Sequence, residues 1–527
     1  ELTIEQITAA VRALPNKQCL SGPIPTQLLK NHICVLAPFI TELFNKSLST
    51  GTLPQSFKSA SVTPLIKKPD MDITDIKSYR PISNLSVLSK LLERLVAVQL
   101  KSYIQNNQLL PVTQSAYRPN HSTETAVLKV CSDHLLAADS GDISVLVLLD
   151  LSAAFDTVDH DIMLQRLSIS CGLSGIVLQW FRSYLLKRNW CVSYNGGTSE
   201  VSESAWGVPQ GSVLGPMLFT LYTRDIVGLV EKHGLRCHLY ADDTQIYGRC
   251  SPTNTADLET NLSMCLKEVS SWMCSNRLQL NTSKTEVMWV GSHRKRHLLP
   301  VTPLRVVDSD VKPVSSVRNL GIYLNNDMSM SAHIGKTVGN CFGSLRSIRT
   351  VKDSLPRSTI RTMISALVLS RLDFGNAALY GLPESQLNKY QAVLNAAARL
   401  IFNARRSDHV TPLLEELHWL KVRERISFKI ACMTWRCIHG SGPSYLSEDI
   451  SVISCTDRRQ GLRSSDSVNL LLPRTHNVTH GGRAWPTAAA TVWNNLEPPS
   501  LKMEDSYMAF RRQLKTYLWS LSYANNL

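Results

Sequence analysis

The sequence predicts a mixed α/β protein built from several subdomains, and three observations lead to this expectation. The chain has 527 residues, more than a single hydrophobic core usually holds. Its composition, 43% hydrophobic and 19% charged without a low-complexity tract, is typical of a folded globular protein. Strand-like and helical hydrophobic patterns alternate in the first 290 residues, and helical patterns dominate from about residue 335 onward.

Helices and one extended segment are predicted for the N-terminal part of the chain. Apolar residues keep helical spacing within residues 1–56, and the second helix should end at Gly51. Residues 57–70 have the pattern of an extended segment. After the stretch YRPISNL, a further helix is predicted, with a mostly buried face that comprises Leu91, Leu92, Leu95, Val96, Val98 and Ile104.

The middle of the chain is predicted to contain a buried strand and two hairpins. Residues 144–151, SVLVLLDL, are almost unbroken in their apolar character and have the length of a central strand. Residues 191–201 predict a hairpin that turns at Asn195-Gly196-Gly197. Residues 235–248 predict a second hairpin with an acidic pair at its tip.

The C-terminal part reads as helical up to about residue 440. Two helices are indicated by apolar residues at helical spacing, namely Ile360, Met363, Ile364, Leu367 and Val368 in the first and Leu387, Tyr390, Leu394, Ala397 and Ile401 in the second. The final ~85 residues, rich in Ser, Pro, Asn and Arg, give the weakest pattern.

The excess of positive over negative charge lies entirely in the C-terminal half of the chain. Residues 1–290 hold 25 Lys and Arg against 25 Asp and Glu, whereas residues 291–527 hold 31 against 17, which accounts for the whole net charge of +14. This asymmetry suggests a polyanionic partner, nucleic acid first and an anionic membrane second. A merely solubilising basic surface is the alternative.

The thirteen cysteines indicate reduced thiols in an intracellular protein, because they are scattered and form no CxxC pair. Cys432, Cys437 and His439 cluster in sequence, but their spacing matches no standard zinc module. No apolar run approaches the ~18 residues of a membrane span. Because the chain begins at Glu1 without Met, we expect it to be part of a longer protein.

Three aspartates follow strand-like segments and raise an electrostatic question. Asp150 closes the predicted buried strand, and Asp242 and Asp243 lie at the tip of the second hairpin. Two carboxylates ~4 Å apart repel by about 4 kcal/mol at the effective dielectric of a protein surface. Carboxylates delivered from strand ends are the usual ligands of Mg²⁺, and bound cations would offset the repulsion. Solvated loop carboxylates are the alternative for the adjacent pair taken alone.

Motif order then identifies a family. LDLSAAFD (149–156), GVPQGSVLGPMLF (207–219) and YADD (240–243) resemble motifs A, B and C of reverse transcriptases from non-LTR retrotransposons, the LINE-type elements that include the jockey and CR1 groups. Five further stretches resemble motifs of the same family: PLIKKPD (64–70), SYRPISNLSVLSKLLER (78–94) and QSAYRPNHST (114–123) its fingers, NRLQLNTSKTEVM (276–288) its motif D, and RNLGIYLNNDMSMSAHI (318–334) its primer grip. The resemblance covers roughly residues 35–430.

This resemblance implies a right-hand polymerase, an α+β palm with fingers and a helical thumb, followed by a basic C-terminal helical region. The boundaries that we expect are a helical extension at 1–56, fingers at 57–135, palm at 136–317, primer grip at 318–335, thumb at 336–440, and a region of unknown role at 441–527.

The resemblance also implies the catalytic and metal-binding residues. Asp150 and Asp242 would ligate two Mg²⁺ ions, with Mn²⁺ as an alternative metal, while Asp243 serves as an auxiliary ligand and Leu151 belongs to the same ligand set. Lys284 matches the motif D lysine, a general acid for the departing pyrophosphate.

A second set of residues is expected to bind the nucleotide. Phe155 takes the position at which the family places an aromatic ring beneath the incoming sugar, where it would exclude a 2′-hydroxyl and favour dNTPs. Gln210 and Gly211 would position the incoming base and the template, because a glycine lets the backbone come close to a ligand. Arg80 and Arg118 are the candidates for binding the triphosphate.

A third set is expected to bind nucleic acid. Gly321 belongs to the primer grip, and the helical segment that follows would contact the template–primer duplex through Arg346, Arg349, Lys352, Arg357, Arg361 and Arg371. The basic run 293–297 is predicted to be a loop that touches nucleic acid, serves as a nuclear address or is simply solvated.

The predicted function is RNA-directed DNA polymerisation, with an RNA template, a DNA primer or target and dNTPs as partners, in target-primed reverse transcription. No membrane partner is expected, and the location implied is the nucleus after cytoplasmic assembly. An RNA-dependent RNA polymerase is disfavoured by Phe155 and by YADD in place of GDD. An inactive or co-opted nucleic-acid-binding relic is the other alternative. No endonuclease, RNase H carboxylate set or zinc knuckle is recognisable in the chain.

Overall fold

The computed structural model describes residues 1–16, 24–307, 309–453 and 469–523. These residues fall into two compact units. The first comprises Glu1–Tyr117, Asp150–Val230 and Leu266–Ser283, and the second comprises Arg118–Leu149, Glu231–Cys265 and Lys284–Leu527. Each unit combines helices with strands, so the predicted mixed α/β class is confirmed. The finer boundaries of fingers, palm, primer grip and thumb stay predictions.

The described residues form the following helices: α1 Ile4–Arg12, α2 Thr26–Asn31, α3 Ile33–Thr50, α4 Val87–Asn106, α5 Thr123–Asp139, α6 His160–Ile169, α7 Gly175–Leu185, α8 Gly215–Thr223, α9 Ile226–Glu231, α10 Thr255–Ser275, α11 Ser331–Val351, α12 Arg357–Ile364, α13 Ser370–Asp373, α14 Glu384–Phe402, α15 Thr411–Glu416, α16 Val422–Ile438, α17 Ser444–Ser447, α18 Trp485–Asn494 and α19 Tyr507–Tyr523.

The strands are β1 Ser59–Ile66, β2 Tyr79–Asn84, β3 Ile143–Leu149, β4 Leu151–Ser152, β5 Arg188–Tyr194, β6 Gly197–Thr198, β7 Ser202–Ser204, β8 Arg236–Tyr240, β9 Asp243–Cys250, β10 Gln279–Leu280, β11 Glu286–Val290, β12 Leu304–Val306, β13 Ser309–Val311, β14 Ser316–Asn319 and β15 Ile322–Asn325.

The first unit is organised around a sheet of order β2-β1-β5-β6, in which β7 also pairs with β5. Strand β1 runs antiparallel to β2 and parallel to β5. The predicted extended segment and the hairpin at 191–201 are confirmed as β1 and as β5–β6. Helix α3 ends as expected at Gly51, which adopts the left-handed conformation that glycine tolerates best.

The second unit contains the antiparallel sheet β11-β3-β9-β8. Strand β3 pairs on both edges, and six of its seven residues are buried, as its apolar sequence predicted. Strands β8 and β9 form the predicted second hairpin. Strands β14 and β15 form a further hairpin outside this sheet.

The C-terminal region folds into helices in spite of its weak sequence pattern. Helices α18 and α19 both pack against α16. Trp485, Trp493 and Phe510 are among the largest fully buried side chains of the described residues. Residues 469–523 therefore belong to the hydrophobic core of the second unit.

Two local expectations are wrong. Val98 is 67% exposed, because it lies two positions from both Val96 and Leu100 and so on the opposite side of α4. The basic run is not a loop: residues 293–298 form a 3₁₀ helix, in which Lys295 donates a hydrogen bond to the carbonyl of Gly141.

Among the described residues, no helix is both long and apolar enough to cross a membrane. The described cysteines are all free thiols, as their scattered positions indicated.

Candidate active site

The acidic pair lies where β8 turns into β9. Tyr240 pairs with Asp243, so the turn consists of Ala241 and Asp242. Ala241 adopts a positive φ of 58°, a conformation that non-glycine residues adopt rarely and mainly at turns and functional sites. Asp242 is half-buried, whereas Asp243 is exposed and opens β9. The two carboxylates thus have different surroundings although they are adjacent in sequence.

The third aspartate follows the strand that pairs with β9. Leu149, the last residue of β3, lies opposite Thr244 in the ladder, and Asp150 is the next residue along the chain. Asp150 is half-buried, and its carbonyl accepts a hydrogen bond from the backbone of Asn281 at 2.8 Å. Leu151, one position further, pairs with Leu280. The backbone is therefore held on both sides of Asp150.

The donor chemistry of these residues suits a hard divalent cation, because all three side chains are carboxylates. Within the part of the chain that the structure describes, no group of three or more His, Cys, Asp or Glu side chains is arranged to hold a metal ion. This statement includes Cys432, Cys437 and His439. The assignment of Asp150, Asp242, Asp243 and Leu151 to metal ions stays a prediction.

The Pro-Gln-Gly turn is packed closely against strand β2. Gly211 has a φ of 115°, and a Cβ atom at this position would lie 2.7 Å from the carbonyl oxygen of Ser83. The carbonyl of Gln210 accepts a hydrogen bond from the backbone N–H of Ser83 at 2.7 Å. The close neighbour that requires a glycine is therefore β2, a contact that the sequence did not reveal. Approach of this turn to a ligand stays a prediction.

Asp156 holds the side chain of Gln210. The Gln210 amide donates a hydrogen bond to Asp156 Oδ2 at 2.9 Å. Burial raises the pKa of Asp156, although the hydrogen bond from Gln210 opposes this shift. Gln210 and Asp156 also line a cavity of about 930 Å³ within the first unit, together with Tyr79, Trp190, Tyr194 and Trp206.

Glu93 is a functional candidate that sequence reasoning missed. Its side chain is fully buried, and Oε2 accepts hydrogen bonds from the backbone N–H groups of Val213 and Leu214 at 2.7 and 3.1 Å. Burial raises the pKa of Glu93, against the opposing effect of these hydrogen bonds. The carboxylate therefore anchors the segment between Gly211 and α8. A glutamate between Leu92 and Val96 on an apolar face was the available signal.

Phe155 is half-buried and stacks on Phe219 of α8, with ring centroids 5.0 Å apart and an angle of 26° between the rings. Its carbonyl accepts a hydrogen bond from the backbone of Val208 at 2.8 Å. The ring is thus fixed by packing from one side while part of it stays accessible. A fixed, partly accessible ring is suited to a steric filter.

The charged candidates lie in different settings. Arg80 is exposed on β2 of the first unit. Arg118 is half-buried in the second unit, and burial lowers the pKa of its guanidinium. Lys284 is exposed at the end of a short 3₁₀ turn, Thr282–Lys284. Their roles toward a triphosphate or pyrophosphate stay predictions.

Gly321 occupies the tight turn of the β14–β15 hairpin. It has a φ of 92°, and a Cβ atom there would lie 3.1 Å from the ring of Phe374. The position therefore requires glycine for two reasons, backbone conformation and space.

The basic residues after this hairpin divide into engaged and available ones. Arg357 forms an ion pair with Glu416 at 2.7 Å and lies over the ring of Phe402, and Lys352 donates a hydrogen bond to Asn403. Arg346 and Arg349 are exposed on α11 and have no ion-pair partner among the residues described. Arg346, Arg349 and the likewise exposed Arg361 are consequently the more accessible of the predicted duplex contacts.

Comparison with known proteins supports the motif assignments. Residues 66–324 match the family model described as reverse transcriptase (RNA-dependent DNA polymerase). This range contains the candidate carboxylates, the Pro-Gln-Gly turn and the β14–β15 turn.

Curated relatives from Drosophila melanogaster are similar to most or about half of the chain. The probable RNA-directed DNA polymerase from transposon BS is 27% identical over 81% of the chain and 47% of its own length. The corresponding protein from transposon X-element is 29% identical over 69% of the chain and 40% of its own length. The RNA-directed DNA polymerase from mobile element jockey is 30% identical over 54% of the chain and 31% of its own length.

The chain thus spans less than half the length of each of these three relatives. All three relatives carry the name RNA-directed DNA polymerase. Residues 66–324 therefore match the reverse transcriptase family, and the chain is similar to RNA-directed DNA polymerases of mobile elements, in agreement with the non-LTR retrotransposon type that its motifs predicted.

Proposed function

We propose that the chain is an RNA-directed DNA polymerase that extends a primer 3′-hydroxyl with dNTPs on an RNA template. The primer is proposed to be a nicked DNA target, as in target-primed reverse transcription. The observation that carries the proposal is the pairing of Leu149 with Thr244. Asp150 follows the first of these residues and Asp243 precedes the second, so the register supports a shared carboxylate site.

The metal ligands in this proposal are Asp150 and Asp242, with Asp243 and Leu151 completing the set. Reverse transcriptases use divalent metal ions, and the carboxylate donors of this chain fit Mg²⁺, with Mn²⁺ as an alternative. Bound at this site, two such ions would activate the primer hydroxyl and stabilise the departing pyrophosphate. Their charge would also make the adjacency of Asp242 and Asp243 favourable.

The other residues of the site would bind the triphosphate and the duplex, orient the incoming base and select the sugar. Lys284 would give a proton to the pyrophosphate oxygen, and Arg80 and Arg118 would hold the triphosphate. Gln210, fixed by Asp156, would orient the incoming base against the template. Phe155, fixed by Phe219, would reject a 2′-hydroxyl. Gly321 would contact the primer end, and the exposed arginines of α11 would contact duplex phosphates.

RNA-templated primer extension tests this proposal. The protein is incubated with poly(rA)·oligo(dT), dTTP and Mg²⁺, and the length of the DNA product is followed. We expect extension by the wild-type chain and loss of at least ~10³-fold in rate for Asp242→Ala, because removal of a metal ligand removes transition-state stabilisation worth several kcal/mol. Binding of the primer–template should change little.

Asp142→Ala is the matched control, since Asp142 is also a half-buried aspartate next to β3 but lies at the end of the strand opposite to Asp150. Its loss should leave extension nearly unchanged. Absence of extension by the wild-type chain, with retained binding of primer–template, would instead favour a nucleic-acid-binding relic. Equal extension by Asp242→Ala and wild type would refute the metal assignment.

A further inference from the structure

The β8–β9 hairpin, called the acidic hairpin below, makes contacts away from its turn that the proposed chemistry does not use. Arg236 and Tyr247 are cross-strand partners in β8 and β9, and both contact Asp133 of α5. The Arg236 guanidinium lies 2.8 Å from Asp133 Oδ2, and the Tyr247 hydroxyl donates to the same oxygen at 2.9 Å. The hairpin is therefore tied to α5 through a carboxylate that is only 8% exposed.

The ion-pair network continues from α5 into the C-terminal region. Lys129, one turn before Asp133 in α5, lies 3.2 Å from Asp133 and 2.9 Å from Asp449. The Lys129 side chain is 14% exposed and that of Asp449 is 22% exposed. Ion pairs this sheltered are screened less than surface pairs, and removing one partner leaves a charge poorly compensated.

An aromatic contact joins the same two parts of the chain. His238, four residues before Asp242, is fully buried, and its ring meets the ring of Tyr445 edge-to-face with centroids 4.9 Å apart. Tyr445 itself is buried and donates a hydrogen bond to Thr125 of α5 at 2.9 Å. Tyr445 is thereby fixed on α5 at one end and against β8 at the other.

We propose that residues 444–449 are a positioning element for the acidic hairpin, with Tyr445 and Asp449 as its positioning residues. Tyr445 acts on β8 directly through His238, and Asp449 acts through Lys129 and Asp133. Neither touches the reacting atoms. The inference rests on the proposed polymerase function, since it assigns to this segment the task of holding Asp242 and Asp243 in register for nucleotidyl transfer.

The proposal gives a role to residues 444–449, which belong to the second unit together with β8 and β9. A displacement of about 1 Å in a catalytic group is enough to cost ~10²-fold in rate. The turn that carries Asp242 is connected to the protein through β8 and β9 alone. Its position therefore depends on the residues that pack against these two strands. Residues 444–449 supply part of that packing from a distant part of the sequence.

The test compares Tyr445→Ala, Tyr445→Phe and Asp449→Asn with the matched control Asp139→Asn. Asp139 also joins α5 to the C-terminal region, because it accepts hydrogen bonds from the backbone N–H groups of His476 and Asn477 at 3.0 and 2.8 Å. It is as well buried as the network residues. The control therefore weakens the same interface without altering a contact to His238, Lys129 or Asp133.

Five quantities are measured on the full chain: kcat, KM for dTTP, the Kd for primer–template, the Mg²⁺ concentration for half-maximal rate, and hydrogen exchange of the amides of residues 238–246. For Tyr445→Ala we expect kcat to fall by ~10- to 100-fold, with a higher Mg²⁺ requirement, faster exchange in the hairpin and Kd within about twofold of wild type. Tyr445→Phe, which keeps the ring, should stay within about threefold of the wild-type kcat.

Asp449→Asn should lower kcat in the same sense as Tyr445→Ala but less, and it serves as the second variant should Tyr445→Ala fail to fold. Asp139→Asn should lower the Tm while kcat and hairpin exchange stay at wild-type values. The inference is overturned by wild-type kcat and exchange in Tyr445→Ala, or in Asp449→Asn if only that variant folds. An equal loss of kcat in Asp139→Asn would also overturn it.

The exchange measurement separates the two levels of the proposal. Faster hairpin exchange in the Tyr445 variant, in a chain whose wild type does not extend primers, would support the contact and refute the polymerase function. Normal extension by all variants would refute the positioning role and leave the polymerase function standing.

Discussion

At the scale of single residues, the adjacent aspartates occupy two distinct positions. Asp242 lies in the turn after Ala241, and Asp243 is the first residue of β9. Their neighbour in the sheet is the end of β3, after which Asp150 follows. The two aspartates thus lie in, and directly after, a two-residue turn between paired strands, where the backbone has little conformational freedom.

Phe155 provides a prediction on substrate choice. Phe155→Val should raise the ratio of rNTP to dNTP incorporation by ~10-fold or more, because a smaller side chain would leave room for a 2′-hydroxyl. Single-nucleotide incorporation with dTTP and UTP, measured as kcat/KM for each, gives this ratio.

Phe219→Leu is a useful companion to that substitution, since Phe219 is the fully buried ring on which Phe155 stacks. It should lower the stability of the protein with a smaller effect on nucleotide choice. An unchanged rNTP/dNTP ratio in Phe155→Val would assign the ring to the core and remove its role as a filter.

Some residue positions could be predicted from the sequence and others could not. The position of Asp150 at the end of a strand was predictable, because it closes the apolar run of residues 144–151. Glu93 was not, because its partners are the backbone amides of Val213 and Leu214, 120 residues later in the chain. For a buried carboxylate whose partners are backbone amides, the only indication in the sequence is an acidic residue on an otherwise apolar helix face.

At the scale of elements, the Pro-Gln-Gly turn is coupled to strand β2. Ser83 donates to the carbonyl of Gln210, and the carbonyl of Ser83 faces the bare Cα of Gly211. A displacement of β2 would therefore also displace this turn, which is proposed to orient the template.

Gly211→Ala tests this coupling. The added Cβ would lie 2.7 Å from a backbone oxygen, so the turn and β2 must separate. We expect a loss of ~1–3 kcal/mol in the free energy of unfolding, from the unfavourable φ and the close contact, and at least ~10-fold in kcat/KM for dTTP.

Gly228→Ala is the matched control, because Gly228 lies in α9 and a Cβ atom there would meet nothing within 4 Å. This substitution should be neutral or slightly stabilising, since alanine favours the helix. Denaturant unfolding and steady-state kinetics measure both effects. Wild-type kinetics in Gly211→Ala would show that the close packing on β2 does not control the turn.

Hydrophobic patterns predicted which segments are helices and strands better than they predicted which face of a helix is buried. The strand β3 and the helices α3 and α14 follow directly from apolar spacing. Val98 was misplaced because apolar character alone does not specify which face of a helix is buried. The packing of β2 on Gly211 depends on tertiary contacts that no local pattern encodes.

At the scale of the whole molecule, the asymmetric charge has an electrostatic consequence for nucleic-acid binding. The C-terminal half carries the entire net charge of +14. Many of its basic residues are engaged within the protein, as Arg425 is with Asp373 and Lys429 with Glu124. Net charge alone therefore overstates the number of phosphate contacts available.

Replacement of two exposed arginines of α11 gives a quantitative prediction. In Arg346→Gln/Arg349→Gln, the slope of log K against log[salt] for primer–template binding should become less steep by about 1.5–2, because two phosphate contacts and their released counterions are lost. Fluorescence anisotropy at several salt concentrations measures the slope.

Arg305→Gln is the control for that measurement, since Arg305 is exposed but paired with Asp310. Its slope should equal that of the wild type. Identical slopes for the double variant and the wild type would exclude Arg346 and Arg349 from the duplex contacts.

The resemblance predicted a helical C-terminal region, but the packing of this region was beyond sequence prediction for a physical reason. Its partners are α16 and α5, and the hydrogen bond from Trp485 to Ser132 of α5 joins residues 353 positions apart. Weak periodicity was therefore compatible with a buried role, as Trp485 and Trp493 show.

The central claim is that two chain segments about ninety residues apart share one divalent-metal site. Cleavage of the backbone by Fe²⁺ in place of Mg²⁺, with hydrogen peroxide, ascorbate and primer–template present, tests it most directly. The bound Fe²⁺ reduces peroxide to hydroxide and a hydroxyl radical, and this radical cuts the chain next to the metal. We predict cuts near both Asp150 and Asp242 in the wild type and loss of both in Asp242→Asn. Cuts near only one of the two segments, or cuts that persist unchanged in the variant, would contradict the claim.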